Sequence, residues 1–269
     1  MQKSIVKRKL ADGGQVLVPK VCFMDPNIVE MLGLLGFDSV WICNEYKAID
    51  PTTLENMVRA GRAAGIECVV RTGANSGDDF SRFLSMGANG LMIPHVKTVK
   101  QARRVVSRVK YPPVGRRELE NINADGDYGL LPLDEYLMAA NRETLIVLQI
   151  EDMKAVGRVD EIAEVEGVDV LFVGPGDLSL SLGMPGQYNH PKVIKAVRRV
   201  VKACEANGLV CGTPAINPEH CKFLIDQGVR YLTDGSDWRV LLGGFQQSKK
   251  DYAKLGFSFR PNGAGIDGR

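Results

Sequence analysis

A single (β/α)8 barrel of the TIM type is the fold this sequence predicts. Eight short apolar runs rich in β-branched residues alternate with helix-like segments, the rhythm of βα units that build a parallel sheet. The length of 269 residues suits one such barrel, which typically takes about 250. Polar residues stand at the ends of the runs, where catalytic groups of such barrels gather.

The first strand is expected at 15–23 (QVLVPKVCF), followed by a helix at about 26–35. The second, 39–44, leads to a helix at about 52–64, with Pro51 near its start. The third strand, 67–71, precedes a helix at about 78–86 that stops at Gly87. The fourth, 90–94, precedes a basic helix at about 98–110, whose charge run reads as a solvated face able to meet an anionic neighbour. A passage rich in Pro, Gly, Asn and Asp, 111–130, is a long loop of the kind that is functional or disordered. A helix at about 133–141 leads into the fifth strand, 144–150, and a helical interlude separates it from the sixth, 168–174. The seventh and eighth are expected at 208–213 and 230–235, with helices at about 191–207, 218–226 and 237–254. One domain over 1–255 and a flexible, Gly-rich tail over 256–269 complete the expectation.

Composition narrows the function. Hydrophobic residues make up 45% and charged residues 25%, an ordinary globular balance. A net charge of +2 gives no reason to expect nucleic acid. No apolar run approaches the roughly 20 residues of a membrane span, and the basic, interrupted start is unlike a secretory leader, so a cytoplasmic protein is expected. Six scattered cysteines, without paired spacing, read as buried reduced thiols.

The strand ends carry Lys20, the Glu45, Tyr46 and Lys47 cluster, Arg71, Pro94 and His95, Glu151, Asp177, Pro214 and Asp234. Glu151 and Asp177 close two successive strands and would supply two oxygen ligands to Mg²⁺ or Mn²⁺; alternatively each caps a helix or pairs with a base. Gly174, Pro175 and Gly176 precede Asp177 and let backbone N–H groups approach a small anion. Arg71 suits a carboxylate or a developing enolate oxygen, or a structural ion pair to Glu45 or Glu151. Lys20 offers a Schiff-base amine, or a reach toward Glu45 or a substrate carboxylate. His95 could face the pocket, whereas His190 and His220 open helices.

QIE at 149–151, GPGDLSLSLG at 174–183, VVR at 69–71, KYPPVGRR at 110–117, GFDSVWI at 36–42 and DGSD at 234–237 resemble the HpcH/HpaI aldolase family, in the family's order over nearly all of 5–255. That resemblance implies a barrel of the phosphoenolpyruvate/pyruvate type, assembled as a hexamer, a trimer of dimers. It implies a divalent ion, Mg²⁺, Mn²⁺ or Co²⁺, and cleavage of a 4-hydroxy-2-oxo acid into pyruvate and an aldehyde. Macrophomate synthase and oxaloacetate-decarboxylating activities belong to the same group. By position, Glu151 and Asp177 are the metal ligands and Arg71 holds the 2-oxo oxygen. Gly176 and Asp177 take the pyruvate carboxylate on their backbone, beside Gly174 and Pro175, with Gln149 supporting them or touching substrate; Lys20 and Pro214, as strand-end residues, are expected on the substrate side.

One part of the pattern is replaced. After the second strand the family reads Asp-x-Glu-His, the His being the general base; this chain reads Cys43-Asn44-Glu45-Tyr46, and the supporting acid aligns with Ser85. Three readings follow. Tyr46 or a metal-bound water does the proton work, with Lys20 or Lys47 lowering a pKa; or the substrate is a β-oxo acid such as oxaloacetate, which needs no such base; or the barrel binds a small acid without aldol chemistry. Asp234 stands where the family has a small apolar residue, a third acid that would favour a cationic or polyhydroxylated substrate or pair with Lys20.

Overall fold

The computed structural model describes residues 3–47, 49–73 and 79–260. In chain order its helices are α1 Ile5–Ala11, α2 Pro26–Leu34, α3 Pro51–Ala64, α4 Phe80–Ser85, α5 Val99–Val109, α6 Leu133–Glu143, α7 Met153–Gly157, α8 Val159–Ala163, α9 Pro175–Ser181, α10 Pro191–Ala206, α11 Pro218–Asp226 and α12 Asp237–Ala253. Its strands are β1 Val16–Leu17, β2 Lys20–Val21, β3 Ser39–Cys43, β4 Glu67–Arg71, β5 Gly90–Ile93, β6 Leu145–Ile150, β7 Val170–Val173, β8 Val210–Pro214 and β9 Tyr231–Thr233.

The closed, eight-stranded TIM barrel expected from the sequence is not what forms. Nine parallel strands among the described residues make one curled half-barrel sheet in the order β1-β9-β8-β7-β6-β5-β4-β3-β2, ringed by helices. The departure begins in the first expected strand, 15–23, which splits around Val18 and Pro19. Val16 pairs with Tyr231 of β9, whereas Lys20 pairs with Trp41 of β3. Pro19 has no N–H to carry a ladder forward; its carbonyl accepts from Trp41, while the Val18 N–H still donates to Leu232. The run therefore serves opposite ends of the sheet in two-residue pieces, and no ladder joins β1 to β2 among the described residues.

The other strands keep one partner on each side and are buried on both faces, as parallel strands between helices must be. Alternate residues divide between two cores. Val40, Ile42, Cys68 and Val70 pack outward against the helices; Trp41, Val69, Met92, Val147, Val170 and Phe172 pack inward on the concave side. That two-residue period decides the site. Counting on from Trp41, Val69 and Val147 puts Cys43, Arg71, Gln149 and Glu151 on the concave face at its carboxyl end.

At the opposite end α1, which the sequence reading left unassigned, closes the concave core with Val6 and Leu10. Its N-terminus rests on a carboxylate: Glu67 accepts from the N–H groups of Ile5 and Val6 and from the Ser4 hydroxyl. The long loop 111–130 is organised by a buried core in which Arg117 pairs with Asp125 at 2.9 Å and Tyr136 donates to the same carboxylate at 2.8 Å. The last helix, α12, forms where expected but has no buried residue, so Trp238, Leu241, Leu242 and Phe245 are exposed. Of the expected tail, 261–269 lies outside the described residues. No helix among the described residues is long and apolar enough to cross a membrane.

Candidate active site

A cavity of about 350 Å³ opens at the carboxyl ends of the strands, lined by Lys20, Tyr46, Arg71, Gln149, Glu151, Asp177 and Pro214 among others. The last residue of β4, Arg71, is buried and lies against the rings of Trp41 and Tyr46, 4.7 and 5.2 Å from their centroids. One Nη lies 2.9 Å from Glu45 Oε2 and donates to Gln149 Oε1 at 3.4 Å; the other donates to Cys43 Sγ at 3.0 Å. The structural ion pair anticipated for Arg71 is thus made with Glu45. It does not exhaust the group, because among the described residues Arg71 Nε has no hydrogen-bond partner and Glu45 Oε2, though close to the guanidinium, accepts no directed bond.

Directly after β6 comes Glu151, also buried. The N–H of His95 donates to its Oε2 at 2.9 Å, and His95 Nδ1 lies 3.0 Å from the same oxygen. The carboxylate leans on Gly174, where a Cβ would come within 2.5 Å of Oε1; only glycine leaves that space. Burial raises the Glu151 pKa above the ordinary glutamate range; the His95 N–H and imidazole oppose the shift, and the charges of Asp177 and Glu45 add to it.

Asp177 occupies the first turn of α9, a short helix where the sequence reading had seen a glycine-rich turn. Gly174 precedes it as cap, Pro175 starts it, and its first backbone bond runs from the Leu178 N–H to the Gly174 carbonyl. The N–H groups of Gly176 and Asp177 are therefore without partners inside the helix, at the positive end of its dipole.

Tyr46 belongs with Glu45, to which its hydroxyl is hydrogen bonded; burial and then the Glu45 charge push the phenol up to about 12. Lys20 Nζ lies 4.8 Å above the Trp41 ring and has no ion-pair partner among the described residues, so the anticipated pairs with Glu45 or Asp234 are not made. Asp234 instead accepts from the Gly235 N–H at 2.6 Å. Among the described residues no three His, Cys, Asp or Glu side chains are clustered to hold a metal ion; Glu151 and Asp177 share the cavity as a pair.

Two features escaped the sequence reading. Trp41 carries a cation at each of two contacts, and strand parity would have marked it. His95 is placed by a left-handed backbone, φ 56°, which no local pattern announced.

Acids and a buried arginine thus gather at the carboxyl edge of a parallel α/β sheet, where catalytic groups of such folds collect, and comparison with known proteins gives the class. The model of the HpcH/HpaI aldolase/citrate lyase family matches residues 24–242, and the chain belongs to that family. It is 34% identical over 230 residues to 5-keto-4-deoxy-D-glucarate aldolase of Escherichia fergusonii, covering 86% of this chain and 89% of the relative. The crystal structure of an HpcH/HpaI aldolase from Desulfitobacterium hafniense DCB-2 superimposes with a TM-score of 0.89 at 30% identity, over 95% of this chain and 99% of that one. Macrophomate synthase follows at 0.80 and 27%, over 93% and 89%. The protein is a class II aldolase/lyase of this family.

Proposed function

We propose that the enzyme breaks a carbon–carbon bond in a 2-oxo acid with a divalent cation held by Glu151 and Asp177, Mg²⁺, Mn²⁺ or Co²⁺ being the suitable ions. The observation that carries this reading is that both carboxylates line one cavity with Arg71, Glu151 being seated there by a glycine that could be nothing larger. The donor set fits: two carboxylates and room for water or substrate oxygen suit a hard ion that keeps part of its hydration. When bound, such an ion supplies Lewis acidity at the ketone and lowers the cost of negative charge there.

The protein's own groups do the remainder. Arg71, steadied by Glu45 and Gln149, holds the 2-oxo oxygen as it gains charge, in a buried setting where that attraction is strong. The N–H groups of Gly176 and Asp177 receive the substrate carboxylate. Lys20 and Pro214 border the departing half. Tyr46, its phenol pushed up to about 12, holds its proton through the neutral range and donates toward Glu45 rather than acting as the base.

That last property favours a second reading, loss of CO₂ from an oxaloacetate-type acid, which requires a stabilised enolate and no base at Tyr46. A homo-oligomer, a hexamer by resemblance, belongs to the proposal too; its support is α12, whose apolar side chains lack cover in a single chain.

Proton NMR of pyruvate in D₂O tests the central claim. Mg²⁺-dependent exchange of the methyl protons by wild-type protein and its loss in Glu151→Gln are expected; exchange indifferent to Mg²⁺ would overturn the reading. Oxaloacetate then separates the two readings, since a decarboxylase releases CO₂ without any aldehyde.

A further inference from the structure

His95 stands in a continuous row of polar side chains across the mouth of the sheet. Its Nδ1 lies 3.0 Å from Glu151 Oε2, its Nε2 lies 3.4 Å from Glu45 Oε1, and Glu45 Oε2 lies 2.9 Å from the Arg71 guanidinium. Glu151 follows β6, His95 follows β5, Glu45 follows β3 and Arg71 ends β4, so this row of side chains spans the carboxyl ends of four neighbouring strands. Glu151 and Arg71 line the cavity, whereas His95 is outside its lining and partly exposed.

The backbone supports a dedicated role. His95 adopts φ 56°, a left-handed conformation uncommon outside glycine, in which His, Asn and Asp are the residues found most often. That turn aims the residue's own N–H at Glu151 Oε2, at 2.9 Å, so backbone and ring address one carboxylate together. The other two histidines do local work: His190 Nδ1 accepts from Lys192 and His220 Nδ1 from Ile216.

We propose that His95 is a positioning residue that couples the cation site to the oxo-acid site, holding Glu151 from one ring nitrogen and, through Glu45, Arg71 from the other. This rests on the reading of Glu151 as a cation ligand. The coupling is reciprocal, so a cation bound at Glu151 favours 2-oxo acid binding at Arg71, and the acid favours the cation by the same factor.

Calorimetric titration of Mn²⁺, and of pyruvate with and without saturating Mn²⁺, tests this on wild type, His95→Asn and His95→Gly. Both variants accept the left-handed backbone and keep the N–H to Glu151, but neither can span two carboxylates. Mn²⁺ affinity is expected to fall about tenfold or more in each, as for other groups that orient a ligand, and the gain in pyruvate affinity on adding Mn²⁺ should shrink with it. His95→Gly, freed of backbone strain, should unfold at no lower temperature than wild type, which separates positioning from a structural role. Mn²⁺ affinity within about twofold of wild type in both variants, or tighter, overturns the coupling while Glu151→Gln still abolishes binding. Wild-type protein that takes up no Mn²⁺ overturns this proposal and the cation reading together.

Discussion

Strand β4 carries a buried charge at each end, and the two ends are treated oppositely. At the amino end Glu67 is met by the Ser4 hydroxyl at 3.0 Å, the Val6 N–H at 3.0 Å and the Ile5 N–H, so α1 both shields and satisfies it. Nearby, Glu143 accepts the Ser4 N–H at 2.8 Å, and Lys110 donates to the carbonyls of Asn141 and Thr144. At the carboxyl end Arg71 Nε and Glu45 Oε2 have no hydrogen-bond partner among the described residues. Buried polar groups are ordinarily satisfied, and exceptions call for a reason. One end of the sheet uses its charges to close the fold; the other gathers them around a cavity.

The sharpest way to break this contrast is Gly174→Ala. A methyl 2.5 Å from Glu151 Oε1 must displace that carboxylate, and kcat/KM for 2-oxo acid cleavage should fall about a hundredfold with the melting temperature nearly unchanged. Retained activity would show that Glu151 need not stand where it does.

Glu67→Gln should give the reverse, a stability loss of about 2 kcal/mol seen in denaturant titration, with metal-dependent pyruvate exchange intact. It also has a pH signature. Burial holds the Glu67 pKa above its unfolded value, so its contribution to stability is fully present below the unfolded pKa and lost as pH rises through the folded one. The slope of stability against pH above the ordinary glutamate range should therefore flatten in the variant.

The smallest effect is expected from Tyr46→Phe. A phenol pushed up to about 12 is not a base at neutral pH, so kcat should drop less than about tenfold and the pH–rate curves of variant and parent should run parallel. A loss of about a hundredfold or more would restore Tyr46 as the proton acceptor.

Much of this was legible beforehand because parallel strands are buried on both faces and leave apolar runs. The run ECVVR became β4 residue for residue, and PEHCKFLID became α11. Local signals failed where the outcome depended on a distant partner. The stretch around Pro19 could be seen as extended, but its division between β9 and β3 could not; α1 is stabilised by Glu67, more than sixty residues away.

By itself the sequence determined an α/β chain of the aldolase family and the apolar runs after which Glu45, Glu151 and Asp177 follow and at whose end Arg71 stands, since periodicity and motif spacing are properties of neighbouring residues. Only the tertiary structure decided that the sheet is a nine-stranded half-barrel, that Lys20 stands over Trp41 without a carboxylate, and that His95 bridges Glu45 and Glu151. Those are matters of which strand lies beside which and of one left-handed residue, and contacts between side chains about fifty residues apart exist only once the chain has closed upon itself.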